Sequence, residues 1–147
     1  MHLQTIHHHK KEYLLLLLQA DEEESQIDTY LNRGTLYVAL EEERVIGVAV
    51  VTEEKEGVEL KNMAIDVPYR KQGYGKQMLE QLFDYYKGRT MFVGTGDSGL
   101  TVPFYEACGF TYSHTIEHFF TEHYTEPIME NGVLLEHMIV LKKDIPL

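Results

Sequence analysis

The sequence predicts an α/β domain: a mixed central sheet of about six or seven strands flanked by about four helices. Two features carry that prediction. Runs rich in β-branched residues recur at Thr35 to Leu40, at Val45 to Thr52 and in V-E-L-K-N-M-A-I-D after Gly57, and such residues suit the half-buried, pleated surface of a strand. Other stretches have helical spacing, the most regular being Met78, Leu79, Leu82, Phe83 and Tyr86, where residues three and four apart share one face.

In chain order, His2 to Ile6 reads as a short strand, and Lys10 to Gln19 as a helix of Lys, Glu, Leu and Gln with no internal breaker. Asp21 or a neighbour is placed to cap a second helix through Leu31, with Glu22, Glu23 and Glu24 beside the positive end of its dipole and Asn32 and Gly34 closing it. The next two strands, Thr35 to Leu40 and Val45 to Thr52, join through Glu41-Glu42-Glu43-Arg44 as a hairpin. After Gly57, Val58, Leu60 and Ala64 alternate with polar neighbours until Pro68 stops the strand. The periodic helix beyond Gly73 ends at Gly88, and Thr90 to Val93 is a short buried strand. A Gly-rich turn, G-T-G-D-S-G, leads to a brief helix around Val102 to Cys108, with Pro103 in its first turn and Gly109 as its C-terminal cap. Thr111 to Phe120 and Val133 to Leu141 form a final antiparallel pair, the connection between them ending at Asn131-Gly132.

A length of 147 residues fits one domain spanning 1–147, at roughly 100–200 residues per domain. The longest apolar run, Leu14 to Leu18, has five residues against the roughly 20 of a membrane-spanning helix, so no membrane partner is expected. The opening MHLQTIHHHKKEY lacks the pattern of a secretory signal, and a cytoplasmic location is the expectation. Cys108 is the only cysteine, which excludes an internal disulfide and a multi-Cys zinc site. The consecutive His7, His8 and His9 cannot all face one metal from a regular element, and His114 and His118 lack a helix to align them, so no metal is expected. With 13 basic and 24 acidic residues, the formal charge is −11, a surface that repels nucleic acid as a whole.

One segment departs from that acidity. Y-R-K-Q-G-Y-G-K-Q, from Tyr69 to Gln77, holds Arg70, Lys71 and Lys76 with no acid among them. It stands between a strand end and the first turn of the periodic helix. Gly73 and Gly75 present no side chain to a ligand, and the unpaired N–H groups of a helix start form a cradle for a diphosphate. A P-loop is excluded because Arg70 stands where Gly is needed and Gln77 where Ser or Thr is needed, and a dinucleotide turn lacks its third Gly at Met78. Gly94 to Gly99 formally spells G-x-G-x-x-G, but Asp97 would set negative charge beside a diphosphate and the following helix is too short for a second βαβ unit.

Arg70-Lys71-Gln72-Gly73-Tyr74-Gly75 matches [QR]-x-x-G-x-[GA], and on it the chain resembles the GNAT family of N-acetyltransferases. The order of elements and V-P-F-Y-E-A-C-G-F at Val102 to Phe110 extend the resemblance, and G-T-G-D-S, F-F-T-E-H-Y-T-E-P-I and E-N-G narrow it to a bacterial subgroup of uncharacterised acetyltransferases. The resemblance implies a GNAT-like sheet and acetyl-CoA as co-substrate. It implies that backbone groups at Met63, Ala64 and Ile65 meet the pantetheine arm, that Arg70, Lys71, Gln72, Gly73, Tyr74, Gly75 and Lys76 hold the diphosphate, and that Ser98, standing where many members have Asn, bonds the pantetheine. It further implies that Tyr105 points to the thioester sulfur, where a phenol can protonate a departing thiolate.

An amine acceptor arrives as an ammonium ion and must lose a proton before it attacks. Glu59, eleven residues before Arg70, is the first candidate for that base, by resemblance to members with a glutamate there; His123 and Glu126 are rivals. Phe119, His123, Tyr124 and Glu126 form an aromatic and polar cluster read as the acceptor wall. Val93 stands where members acting on ribosomal-protein termini carry Glu, which disfavours an amino-terminal peptide acceptor. Cys108, at a helix end with no adjacent His, is read as a buried small residue rather than an acyl carrier. The expected function is direct acetyl transfer from acetyl-CoA to a primary amine of a small molecule or protein. The alternatives are a non-catalytic acyl-CoA-binding sensor or interaction module and transfer to a hydroxyl; a homodimer stays open.

Overall fold

A computed structural model describes residues 1–147. Its strands are β1 (His2–Ile6), β2 (Thr35–Glu41), β3 (Arg44–Glu54), β4 (Gly57–Ile65), β5 (Thr90–Gly96), β6 (Thr111–Ile116), β7 (Met129–Glu130), β8 (Val133–Leu134) and β9 (Met138–Asp144). Its helices are α1 (Leu14–Ala20), α2 (Glu24–Ile27), α3 (Tyr74–Tyr85), α4 (Val102–Ala107) and α5 (Phe119–His123). Seven strands make one sheet in the order β1-β2-β3-β4-β5-β9-β6, and β7 and β8 pair apart from it. Only β4 and β5 run parallel; every other neighbouring pair is antiparallel. No helix is long and apolar enough to cross a membrane.

The sheet buries both faces over β2 to β4. On one side Val58, Leu60, Ala49 and Val51 pack under Met78, Leu79 and Leu82 of α3. On the other, Val48, Val50 and Ala64 meet Leu17 of α1, Ile27 of α2 and the Tyr30-Leu31 turn. This is why α3 obeys its predicted stripe, with Met78, Leu79 and Leu82 fully enclosed.

Several boundaries differ from those the sequence predicts. Lys10 to Gln19 is a 3-10 turn, Lys10–Tyr13, followed by α1. The second helix covers only Glu24–Ile27 and then dissolves into turns, with the Thr29 hydroxyl donating back to the Gln26 carbonyl at 2.6 Å; such back-bonding competes with the helix. Asp21 does not cap it, because both its oxygens face tyrosine hydroxyls. The strand from Thr111 stops at Ile116, and left-handed His118 (φ 57) begins α5 over residues read as strand. Val133 to Leu141 is not one strand either. Asp97 accepts the backbone N–H groups of Glu136 and His137 at 3.1 and 3.0 Å, which takes them out of any ladder and separates β8 from β9. β9 then inserts between β5 and β6.

Candidate active site

The parallel pair β4–β5 is short. Val58 to Leu60 face Met91 to Val93, and there the pairing ends, although β4 runs on to Ile65 and β5 to Gly96. Met63, Ala64 and Ile65 keep β3 on one side, opposite Ala49, Val48 and Gly47, and have no strand on the other. An edge therefore opens inside the sheet, of the kind that takes an extended ligand as an added strand, with the Ile65 carbonyl at its end already accepting Arg70 Nε. A bulge accompanies it. Val51 pairs with Leu60 and Val50 with Asn62, leaving Lys61 as the extra residue. The bulge reverses which face each side chain takes: Leu60 lies under α3, whereas Asn62 turns to α1 and α2.

Beyond β4 the chain makes a 3-10 turn, Val67–Tyr69, and enters α3 through left-handed Lys71 (φ 62) and Gly73 (φ 87). The consequence is a run of free donors. Gln77 N–H is the first in α3 to find its helical partner, the Gly73 carbonyl at 3.1 Å, while the amides from Lys71 to Lys76 make no hydrogen bond within the protein. Consecutive amides of this kind, at a helix start and through left-handed residues, concentrate positive potential. Gly73 has open space where a Cβ would be, whereas a Cβ on Gly75 would stand 3.2 Å from Phe104 Cζ.

The charges around the cradle divide. Lys71 and Lys76 are exposed and in no ion pair. Arg70 is committed internally, its Nε donating to the Ile65 carbonyl and its Nη2 to Gln19 Oε1, both at 2.8 Å. Gln72 Nε2 donates to the Pro68 carbonyl at 3.0 Å. Burial, and then Glu41, push the Tyr74 phenol up.

Tyr105, in α4, is buried against Phe104 and Phe110 with ring centroids 5.1 and 5.6 Å apart. Its hydroxyl has no hydrogen-bond partner in the protein, and burial holds its ionisation well above the usual phenol range. Ser98 is already engaged: its hydroxyl pairs with Glu130 Oε1 and accepts the Leu100 N–H at 3.2 Å. Glu59 lies in the paired part of β4, opposite Phe92 and Thr52, with Lys61 Nζ 3.1 Å from its carboxylate. It helps line a cavity of about 260 Å³ with Glu54, Glu56, Phe92 and His114.

Of the residues read as the acceptor wall, the fold brings three together. Phe119 stacks on His123 at 4.6 Å and meets Tyr124 edge-on at 6.3 Å. Polar bonds then tie this segment to α2 and the turn before it: Gln26 Nε2 donates to the His123 carbonyl at 2.6 Å, Tyr124 Oη to Asp21 Oδ1 at 2.7 Å, and both the Thr125 N–H, at 3.0 Å, and the Thr125 hydroxyl to Glu23 Oε1. Glu126 stays exposed beyond them. His118, Glu136 and His137 converge with ligand-type atoms within 4.8 Å of one another. His137 Nδ1 accepts the His118 backbone N–H at 2.9 Å, which leaves the ring proton on Nε2, facing Glu136. His118 Nδ1 lies 3.0 Å and His137 Nε2 3.6 Å from the Glu136 carboxylate oxygens, a grouping different from the His114 and His118 weighed from the sequence.

Asp21, Tyr30 and Asn62 form a hydrogen-bonded polar group on the α1 side of β4 that the sequence does not announce. The available signal was Asn62 itself, an amide in the alternating buried positions of β4.

The sequence profile described as "Acetyltransferase (GNAT) domain" matches residues 32–112. An "Uncharacterized N-acetyltransferase YvbK" of Bacillus subtilis is 34% identical over 124 residues, 81% of this chain and 80% of the relative. The chain belongs to the GNAT family of N-acetyltransferases. Among solved GNAT structures, one from Elizabethkingia anophelis with acetyl-CoA bound superposes with a TM-score of 0.89 at 31% identity, covering 97% of both chains. An "IAA acetyltransferase" from Bacillus cereus superposes at 0.88 with 35% identity, over 97% of this chain and 98% of the other. The opened β4 edge and the free amides of this GNAT fold lie within the segment that the profile matches.

Proposed function

We propose that this GNAT enzyme takes acetyl-CoA as co-substrate and moves the acetyl group directly to a primary amine. The single observation that carries the cofactor reading is the run of unpartnered amides from Lys71 to Lys76, because accessible N–H groups converging at a helix start concentrate positive potential suited to an anion. Those amides, with Lys71 and Lys76, hold the diphosphate. The free edge at Met63 to Ile65 pairs the pantetheine arm, and N–H groups near Met63 and Ala64 polarise the thioester carbonyl. Arg70 serves differently from its neighbours, fixing the end of β4 to α1 rather than gripping phosphate.

Acetyl-CoA supplies an activated acyl group: a C–N bond forms to the amine and the C–S bond breaks. Glu59 receives the amine's proton through water, and Tyr105 gives its proton to the sulfur. Burial of the ring keeps the Tyr105 phenol neutral, and no hydrogen bond within the protein competes for its proton. Ser98 stays part of the wall through Glu130 and reaches the pantetheine only by exchanging that bond.

Titration calorimetry with acetyl-CoA and thiol release across a panel of amines test this together. We expect binding by the wild-type chain, loss of binding in Gly73→Trp with the thermal transition retained, and acceptor-dependent thiol production. Unchanged affinity in Gly73→Trp overturns the cradle. Binding with no thiol release from any amine overturns the enzymatic reading and leaves a sensor.

A further inference from the structure

The face of the sheet under α1 and the Tyr30 turn carries a polar network, rooted at Asn62 of β4, that neither the cradle nor Tyr105 uses. Asp21 Oδ1 accepts the Tyr124 hydroxyl at 2.7 Å and Oδ2 accepts the Tyr30 hydroxyl at 2.8 Å. The Tyr30 oxygen accepts from Asn62 Nδ2 at 3.1 Å, and the same amide nitrogen donates to the Leu17 carbonyl at 3.0 Å. Every proton of this network is thereby spent, those of both tyrosine hydroxyls and those of the Asn62 amide. Lone pairs remain. Asn62 is 4% exposed and its Oδ1 has no partner at all.

The network also lacks a positive charge. Glu54 is met by Arg33 at 2.9 Å and Glu59 by Lys61 at 3.1 Å, but Asp21 faces only the two tyrosines and the neighbouring Glu23. Burial raises the Asp21 carboxyl, against the hydrogen bonds from Tyr124 and Tyr30 that lower it. A partly buried anion beside surplus acceptors is complementary to a cationic donor. The place fits an acceptor, because the Lys61 bulge turns Asn62 to the face of α1 and α2, across the sheet from α3 and its amides.

We propose that Asp21, with Tyr30 and Tyr124 set on its two oxygens and Asn62 behind them, anchors a cationic group of the acceptor. The anchored group is not the one acetylated. A carboxylate gripping the reacting nitrogen would hold it as ammonium, the form with no lone pair for attack. The acceptor is therefore an amine with a second basic nitrogen. This inference rests on the amine-acetyltransferase reading of the gap, and its test separates the two.

Thiol release is measured at one pH with 1,4-diaminobutane, 1-aminobutane and 4-aminobutanoic acid, and 1,4-diaminobutane is titrated calorimetrically with and without saturating CoA. A charge-assisted contact of this kind corresponds to about tenfold to hundredfold in affinity, so wild type is expected to favour the diamine over the monoamine by that factor in kcat/KM, with the amino acid poorest. Asp21→Asn is expected to erase the difference through KM while the acetyl-CoA affinity stays as in wild type; Tyr124→Phe, which keeps the carboxylate, retains a preference. Equal use of diamine and monoamine by wild type overturns the proposal, a result that needs no variant to fold. So does an unchanged ratio in Asp21→Asn, or the absence of diamine binding in both titrations. Diamine binding without CoA binding or thiol release instead overturns the acetyltransferase reading and spares the anchor.

Discussion

The Tyr124 hydroxyl donates to Asp21 Oδ1 at 2.7 Å, closing a contact between residues 103 apart in sequence. Burial is the largest influence on Asp21 and it raises the carboxyl above its ordinary value of 3.8; hydrogen bonds from Tyr124, Tyr30 and the Glu23 backbone oppose it, and the Glu23 charge adds to the rise. A carboxyl raised in the folded state binds more protons there than in the unfolded chain. Its contribution to stability is therefore full below the ordinary value and is lost as pH climbs through the raised one. Asp21→Asn removes that slope. Urea unfolding across a pH series should show the variant gaining on wild type from about pH 4 upward and then levelling; parallel curves would contradict the burial argument.

Tyr105→Phe separates catalysis from stability. With no hydrogen bond to lose, the fold should change by less than about 0.5 kcal/mol, while loss of a general acid lowers turnover by about 100-fold or more. Because burial raises the phenol above its ordinary 10.0, wild-type activity should show no decline from Tyr105 ionisation below that pH. Stopped-flow thiol release and thermal melts of the same preparations decide it, and full turnover in Tyr105→Phe would remove the residue from the reaction.

Arg70 and Lys71 are adjacent in the motif yet should fail differently. Arg70→Ala strands the Ile65 carbonyl and frees Gln19, at a cost of about 1 kcal/mol in unfolding free energy. Lys71→Ala leaves stability unchanged, weakens acetyl-CoA binding about two- to fivefold and flattens its salt dependence. Denaturant melts paired with calorimetry at two ionic strengths check both; equal loss of stability in the two variants would refute the division of labour.

The two glycines of the motif are needed for different reasons. At Gly73 the backbone is left-handed with open space around it, so Gly73→Ala costs about 1–2 kcal/mol and Gly73→Asn, which tolerates that conformation, recovers most of it. At Gly75 the constraint is Phe104. Combining Gly75→Ala with Phe104→Ala should reveal a coupling of about 0.5 kcal/mol or more in a double-mutant cycle, and strict additivity would exclude the contact.

Much of this was legible in the sequence because it depends on local rules. The α3 stripe, the β2–β3 hairpin and the strand-turn-helix around Arg70 to Gly75 are set by periodicity, turn chemistry and charge within a few residues. The elements misread were those whose backbone partners lie far away. Val133 to Leu141 breaks where Asp97 takes backbone groups remote in sequence, and α2 loses its expected Asp21 cap where that carboxylate is drawn to Tyr124.

By itself, then, the sequence determined the α/β class, the order of its main elements and a glycine-bearing cationic turn at the start of α3, all consequences of short-range stereochemistry and amphipathic spacing. Only the tertiary structure decided that β4 and β5 part after Leu60 and Val93, that the Lys71 to Lys76 amides stay unpaired, that Arg70 bonds back to Ile65, and that Asp21, Tyr30, Asn62 and Tyr124 meet. Those outcomes depend on which strands pair and where a single bulged residue reverses the faces of β4. Such choices are settled by packing across the whole sheet, and no window of neighbouring residues contains them.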